Sequence, residues 1–432
     1  MKNNNTIKIN FKGGIIDPSV LYSILVVARK AGLLYVRFGL RQQLYFDVDI
    51  EEVEMVSSEL EALGINFEIN EEKFPNIVSS FPAEDIFIIN TWISENLYKE
   101  ILDTFNYAHR LKINISDANQ SFTPLLTGNI NWVTAPAEEN YWHLFIRFPK
   151  TNIVYEWKDL VHTKDLSAMS VLLEETILQN TANYYDNSTA NGDALYEEIK
   201  TGNFASKPSP APLAFPPYKL PYYEGMNRYG TKYWLGIYRR DELFSIEFLK
   251  EVCDLCAKTE SDTLCSTPWK TIIIKGILEN ERKDWNHLLD EYQINLRHAA
   301  NELNFQVDDN SLDALKLKLF LVKHLNDDDT RSFGVCIGIK TKRRSEVFSS
   351  ILVRRKPLIR LGKLELFHTY DILCAKDYDP NERTDFVFSS GNPKFVLAEQ
   401  LRRAILSFYR RSTESSEEQN DTSKQTEYML SD

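Results

Sequence analysis

A chain of 432 residues is too long for one ordinary domain and suggests two to four. Its 43% apolar content, with 24 Phe and 21 Tyr, supports large cores, and a net charge of −12 argues against a nucleic-acid protein, which wants a basic excess. No run approaches the ~18 apolar residues of a membrane helix and MKNNNTIKINF carries no apolar leader, so a cytoplasmic protein with no membrane partner is expected.

In chain order, IKINF predicts a strand and 13-GGIIDPSVLYSILVVARKAG-32 a helix, with Asp17 as its cap and Pro18 at its first position. The alternating stretch 36-VRFGLRQQLYFDVD-49 predicts the next strand. IEEVEMVSSELEALG predicts an amphipathic helix closed by Gly64, and INFEIN a last strand. The order β-α-β-α-β is that of a ferredoxin-like unit. Residues 110-RLKINISD-117 and 141-YWHLFIRFPK-150 predict strands of a larger domain that follows it. The stretch 202-GNFASKPSPAPLAFPPYKLPYYE-224 holds six prolines, which exclude helix and central strand and predict an extended connector.

Beyond the connector the order repeats. YWLGIYRRDE, 264-LCSTPWKTIIIKGI-277 and QINLRH predict strands, with SIEFLKEVCDLCAKT and LENERKDWNHLLDEY as helices between them. Setting Arg41 over Trp269 gives an offset of 228 residues, and Ile65 over Ile294 nearly the same. One repeat at such a period means duplication with a pseudo-two-fold. FGVCIGIKTK and the helix FVLAEQLRRAILSFYRR belong to a second larger domain. The expected divisions are 1–72 and 227–297 as ferredoxin-like half-domains, 73–201 and 298–411 as larger α+β domains, 202–226 as linker, and 412–432 as a disordered acidic tail.

Cys253, Cys256, Cys265, Cys336 and Cys374 are too few and too irregular for a secreted disulfide framework. Cys253 and Cys256 lie at i, i+3 on a helix, where packing is the simple reading. The seven histidines show no metal-ligand spacing, and no Walker, Rossmann or GxSxG pattern occurs, so no metal site and no catalytic residue is assigned.

Arg37-Phe38-Gly39-Leu40-Arg41-Gln42 resembles the R-L-T-T-R-Q strand of siroheme-dependent nitrite and sulfite reductases. RLKINISD resembles that family's basic strand, with Arg110 and Lys112 at its two basic positions. Lys8 stands where the family has arginine, ahead of Gly13-Gly14. PNIVSS at 75–80 resembles the segment that enters the large domain. Thr267-Pro268-Trp269-Lys270 is similar to the T-P-W-R form of a cobalamin-pathway relative. The resemblance spans residues 5 to about 411. It implies an α+β fold of duplicated ferredoxin-like half-domains, each followed by a larger siroheme-reductase-type domain about a pseudo-two-fold. It further implies a cleft in which Lys8, Arg37, Arg41, Arg110 and Lys112 bind a small anion or the carboxylates of siroheme.

The departures from the family carry as much weight. Its [4Fe–4S] cluster needs four cysteines in two close pairs, and only Cys336 and Cys374 follow residue 300. Gly39 replaces the usual threonine, Pro75 a basic residue and Cys265 an arginine. The resemblance therefore implies a cluster-less relative, similar to proteins that carry a C-terminal rubredoxin module. Such a protein would serve as an accessory or electron-transfer partner in nitrogen or sulfur assimilation, facing a redox protein. The alternatives are a siroheme reductase fed by an external donor and a non-catalytic scaffold.

Overall fold

The structure is a computed structural model that describes residues 4–88, 90–200, 202–259, 261, 263–342, 347–361, 364–382 and 385–429, with side chains for all but 359–366 and 412–429. Residues 1–217 with 221–298 form one compact unit, and 218–220 with 299–432 a second.

The first half-domain runs β1 (Asn4–Asn10), β2 (Ile15–Ile16), α1 (Pro18–Lys30), β3 (Tyr35–Phe38), β4 (Gln43–Asp49), α2 (Val53–Ala62) and β5 (Phe67–Ile69). The Asp17 carboxylate accepts the Ser19 and Val20 N–H groups at the start of α1. Gly64, at φ +70°, follows α2 and lets Ile65 N–H return to Leu60 O at 2.9 Å.

The first larger domain follows with β6 (Val78–Ser79), α3 (Glu95–Thr104), β7 (Ile113–Ser116), β8 (Ile130–Thr134), β9 (Tyr141–Arg147), β10 (Val154–Glu156), β11 (Asp159–His162), α4 (Leu166–Gln179), α5 (Thr181–Tyr184), α6 (Gly192–Ile199) and β12 (Ser206–Pro208). The second half-domain comprises β13 (Gly225–Tyr229), β14 (Lys232–Ile237), β15 (Phe244–Ser245), α7 (Ile246–Lys258), β16 (Thr263–Ser266), β17 (Ile272–Ile277) and α8 (Arg282–Glu291). The second unit holds α9 (Ala300–Leu303), β18 (Phe305–Val307), α10 (Leu312–Asp327), β19 (Ile337–Lys340), β20 (Ile351–Leu361), β21 (Leu364–Ala375), β22 (Asp385–Asn392) and α11 (Lys394–Met429).

The duplication is visible residue by residue. α1 at 18–30 and α7 at 246–258 are displaced by 228, as are β3 at 35–38 and β16 at 263–266. The half-domain sheets have the orders β15-β3-β4-β1-β5 and β13-β14-β17-β16-β2. Each sheet thus borrows an edge strand from the other: Phe244 pairs with Val36, and Leu264 pairs with Ile16. α1 packs on α7, and Leu21, Ile24, Leu25 and Ala28 share one core with Leu249, Val252, Cys253 and Cys256. Each fully buried Leu or Ile there stabilises by about 1.5–3 kcal/mol.

The larger domains repeat as well. In the first, β6, β7 and β8 are parallel and β9 returns antiparallel, then β11 leads into α4. In the second, β18, β19 and β20 are parallel, β21 and β22 return antiparallel, and β22 leads into α11. The architecture is α+β, with duplicated ferredoxin-like halves each followed by a larger α+β domain.

Residues 36–49 and 264–277 each form a hairpin, not one strand. Gly39 N–H bonds Gln43 O at 2.8 Å, and Thr267 N–H bonds Thr271 O at 3.0 Å. Gln42 (φ +62°) and Lys270 (φ +57°) turn the chain in the left-handed region. Neither turn carries an Asn-Gly or Asp-Gly pair, which leaves both without the usual hairpin signal. QINLRH is not a strand, because the free edge of β14 is already taken by β13. RLKINISD pairs only from Ile113 onward. The connector contributes β12, an edge strand as its proline requires. The backbone of 412–429 continues α11 to Met429.

Candidate functional site

The turn at 39–42 positions Arg41 and Gln42. Arg41 is only 4% exposed, and its guanidinium donates to Asn76 O at 2.7 and 3.1 Å and to Ile113 O at 3.0 Å. Gln42 donates to Ser79 O and Ser266 O, each at 3.1 Å, and accepts Ser79 N–H at 2.9 Å. Asn76 closes the set by donating to Phe11 O and Arg41 O. The turn is therefore a buried knot joining both half-domains to β6 and β7.

In the second half-domain, Trp269 occupies the position of Arg41. Its indole N–H donates to Phe122 O at 2.7 Å, and its ring lies 5.7 Å from Tyr223. Lys270, in the place of Gln42, pairs with Glu242 at 2.8 Å. Both turns thus dock a hydrogen-bonding side chain on the first larger domain, one through a cation and one through an aromatic ring.

Lys8 and Arg37 lie opposite Tyr45 on the two neighbours of β4, on the sheet face away from the core. Each has its own carboxylate. Lys8 pairs with Glu68 and donates to Phe74 O at 2.9 Å. Arg37 forms a two-pronged pair with Asp47 at 2.8 and 3.0 Å. Burial pulls the Asp47 carboxyl up, but hydrogen bonds from Arg37 and Thr6 outweigh it and leave it below its usual range.

Arg110 and Lys112 stand before β7. The Arg110 side chain is exposed, while its N–H and that of Leu111 bond Glu174 at 2.7 and 2.6 Å. Lys112 is half-buried, and its N–H meets Asn129 Oδ1 at 3.1 Å. The five sequence candidates therefore do not form one ring. Arg41 meets the 110–113 segment through Ile113 O, whereas Lys8 and Arg37 form a separate, charge-compensated row.

Two residues escaped the sequence reading. His109 is buried, its Nε2 lies 2.6 Å from Pro75 O, and its Nδ1 has no partner. Burial holds its pKa below the usual histidine value, and the positive fields of Arg41 and Lys12 push the same way. Lys12 is exposed and makes no ion pair among the described residues. The local signal was adjacency: His109 precedes Arg110, and Lys12 precedes the Gly13-Gly14 pair.

A second polar cluster is buried under the second half-domain. Lys275 donates to Phe81 O at 3.2 Å and Glu84 O at 3.3 Å and pairs with Glu95. Glu84 is 4% exposed, with one carboxyl oxygen unpartnered, and burial with the nearby Asp85 raises its pKa to about 8. Asp117 beside it accepts from Thr91 and Asn119.

The cysteines do not fit a four-thiolate cluster. All five are free and buried. Cys253 and Cys256 belong to the half-domain core and Cys374 to that of the second unit. Cys336 immediately precedes β19 and donates to Phe348 O, with β20 between β19 and the Cys374 strand. Burial pushes the thiols of Cys265 and Cys374 up to about 12, the opposite of what a metal thiolate needs. Among the described residues no group of three or more His, Cys, Asp or Glu is placed to hold a metal.

This assembly is a nitrite/sulfite-reductase-type fold. Among solved structures, the Mycobacterium tuberculosis NirA protein matches over 94% of this chain and 81% of its own, with a TM-score of 0.68 and 13% identity. At that identity the likeness carries the architecture alone. No family model and no curated protein matches the sequence. No described helix is long and apolar enough to cross a membrane.

Proposed function

We propose that the chain is a cluster-less protein of nitrite/sulfite-reductase fold that binds an anionic ligand beside β7 and works as an accessory or electron-transfer component in nitrogen or sulfur assimilation. The observation that carries this reading is the placement of the cysteines: buried and scattered, they offer no four-thiolate set. Six-electron reduction needs a wired route for electrons, and these residues do not supply one. Lys8 and Arg37 are neutralised by carboxylates, and Arg41 is engaged by carbonyls. Arg110 and Lys112 lie at the start of β7 next to the buried His109, and the Lys12 cation acts on the same imidazole. Such a set suits one small anionic group better than a macrocycle ringed by carboxylates. A tetrapyrrole, if bound, would meet the same cations through a single edge carboxylate.

Titration with nitrite and sulfite, followed by calorimetry, tests the site. Arg110→Ala is expected to weaken binding about tenfold, the loss of one charge-assisted hydrogen bond. Unchanged affinity removes Arg110 from the site. The role is tested separately by assaying the protein with a strong artificial electron donor and recording its visible spectrum. Sustained turnover with a stoichiometric Soret band would establish the reductase instead.

A further inference from the structure

The second half-domain departs from the first where its last strand should stand. In the first, β5 closes the edge of β1, with Ile7 opposite Ile69 and Ile9 opposite Phe67. At the same 228-residue offset, Phe67–Ile69 falls on 295–297. There β13 already holds the edge of β14, so the chain after α8 stays off the sheet. The N–H groups of Asn295 and Leu296 make no hydrogen bond among the described residues.

The displaced segment and the end of α8 line a cavity of about 370 Å³. That volume falls within the ~300–1,000 Å³ usual for small-molecule sites. Leu289, Ile294 and Leu296 give it an apolar wall, and Asp290 and Arg297 bring one charge of each sign. Neither of the two forms an ion pair among the described residues. The last turn of α8 holds no basic residue, so Asp290 adds to the negative end of the helix dipole. The α8 side of the cavity therefore favours a cationic group, and the Arg297 side an anionic one.

We propose that this cavity binds a free α-amino acid with an apolar side chain, its carboxylate on Arg297, its ammonium at Asp290 and its side chain on Leu289, Ile294 and Leu296. The fork of a guanidinium matches a carboxylate. The unpaired N–H groups of Asn295 and Leu296 are further donors on the same wall. A carboxylic acid or an amine alone satisfies one end of the cavity and leaves the other charge without a partner. The site uses none of the cations beside β7, so it stands or falls independently of the anion site.

Calorimetric titration of the full chain with L-leucine, L-methionine and two blocked forms, N-acetyl-L-leucine and L-leucinamide, tests this. Leucine or methionine is expected to bind with a dissociation constant on the order of 0.1–1 mM, as suits a ligand of so few atoms. Each blocked form should bind about tenfold more weakly, having lost one charge-assisted contact. Arg297→Gln should weaken leucine about tenfold and leave leucinamide unchanged. Asp290→Asn should weaken leucine in the same way and leave N-acetyl-leucine unchanged. Both side chains are exposed, so neither change threatens folding. The proposal is overturned if neither amino acid binds below about 10 mM. Blocked forms that bind as tightly as leucine also overturn it, as does a leucine affinity that neither variant changes.

Discussion

Arg41 directs its guanidinium at the protein's own backbone, and this separates two kinds of cation that sequence alone presents as one. Replacing Arg41 by Met strands the carbonyls of Asn76 and Ile113 in the interior, and each such loss costs about 1–3 kcal/mol. We expect a total of about 2–4 kcal/mol in urea unfolding, against less than about 0.5 kcal/mol for the exposed Arg110→Ala. Equal losses would mean that Arg41 is not a structural cation. Glu84 makes a prediction of opposite character. Its pKa is raised by burial from 4.5 to about 8 in the folded chain, so the folded state holds a proton that the unfolded state releases. Its contribution is intact below pH 4.5 and declines as pH rises towards 8, by at most about 1.4 kcal/mol per pH unit. Glu84→Gln should remove that slope, so that its stability advantage over the parent grows from pH 5 to pH 8. Parallel pH profiles for the two proteins would show that Glu84 ionises normally.

At the scale of elements, the glycines before α1 are fixed by close approach. A Cβ on Gly14, at φ +77°, would lie 2.5 Å from the Gln42 amide and from Ser266 O, whereas one on Gly64, at φ +70°, meets nothing within 4 Å. Gly64→Ala should therefore cost only backbone strain, about 1 kcal/mol, and Gly14→Ala at least about 2 kcal/mol more. Thermal midpoints that drop equally would deny the knot its tight packing. The same elements show what the sequence revealed. Duplication was legible because the helices kept their caps and their spacing: Asp17 and Ser245 both accept N–H groups at equivalent helix starts. The Arg41–Trp269 alignment held for the same reason. The hairpins were not legible, because Gln42 and Lys270 take left-handed conformations that neither residue type advertises. The exchange of β2 and β15 was hidden too, since two-residue strands leave no periodic trace. For the basic candidates, a sequence cannot show that Glu68 and Asp47 pair with Lys8 and Arg37.

For the whole molecule, the cysteine placement predicts that anaerobic reconstitution with iron and sulfide leaves no stoichiometric cluster. Four irons per chain with the matching visible absorption would contradict it. The shared core predicts that residues 1–72 alone lose cooperative unfolding, since β15 and α7 complete their sheet and their helix layer. A sharp melt of that fragment would count against the exchange. The exchange also sets a schedule for biosynthesis. The first half-domain leaves the ribosome about 180 residues before its missing strand and helix, a wait on the order of 10–40 s at about 5–20 residues per second. Through that interval the face of α1 that packs on α7 is uncovered, so the nascent half-domain exposes apolar surface of the kind chaperones bind. The first half-domain is synthesised before the second and is finished only with it.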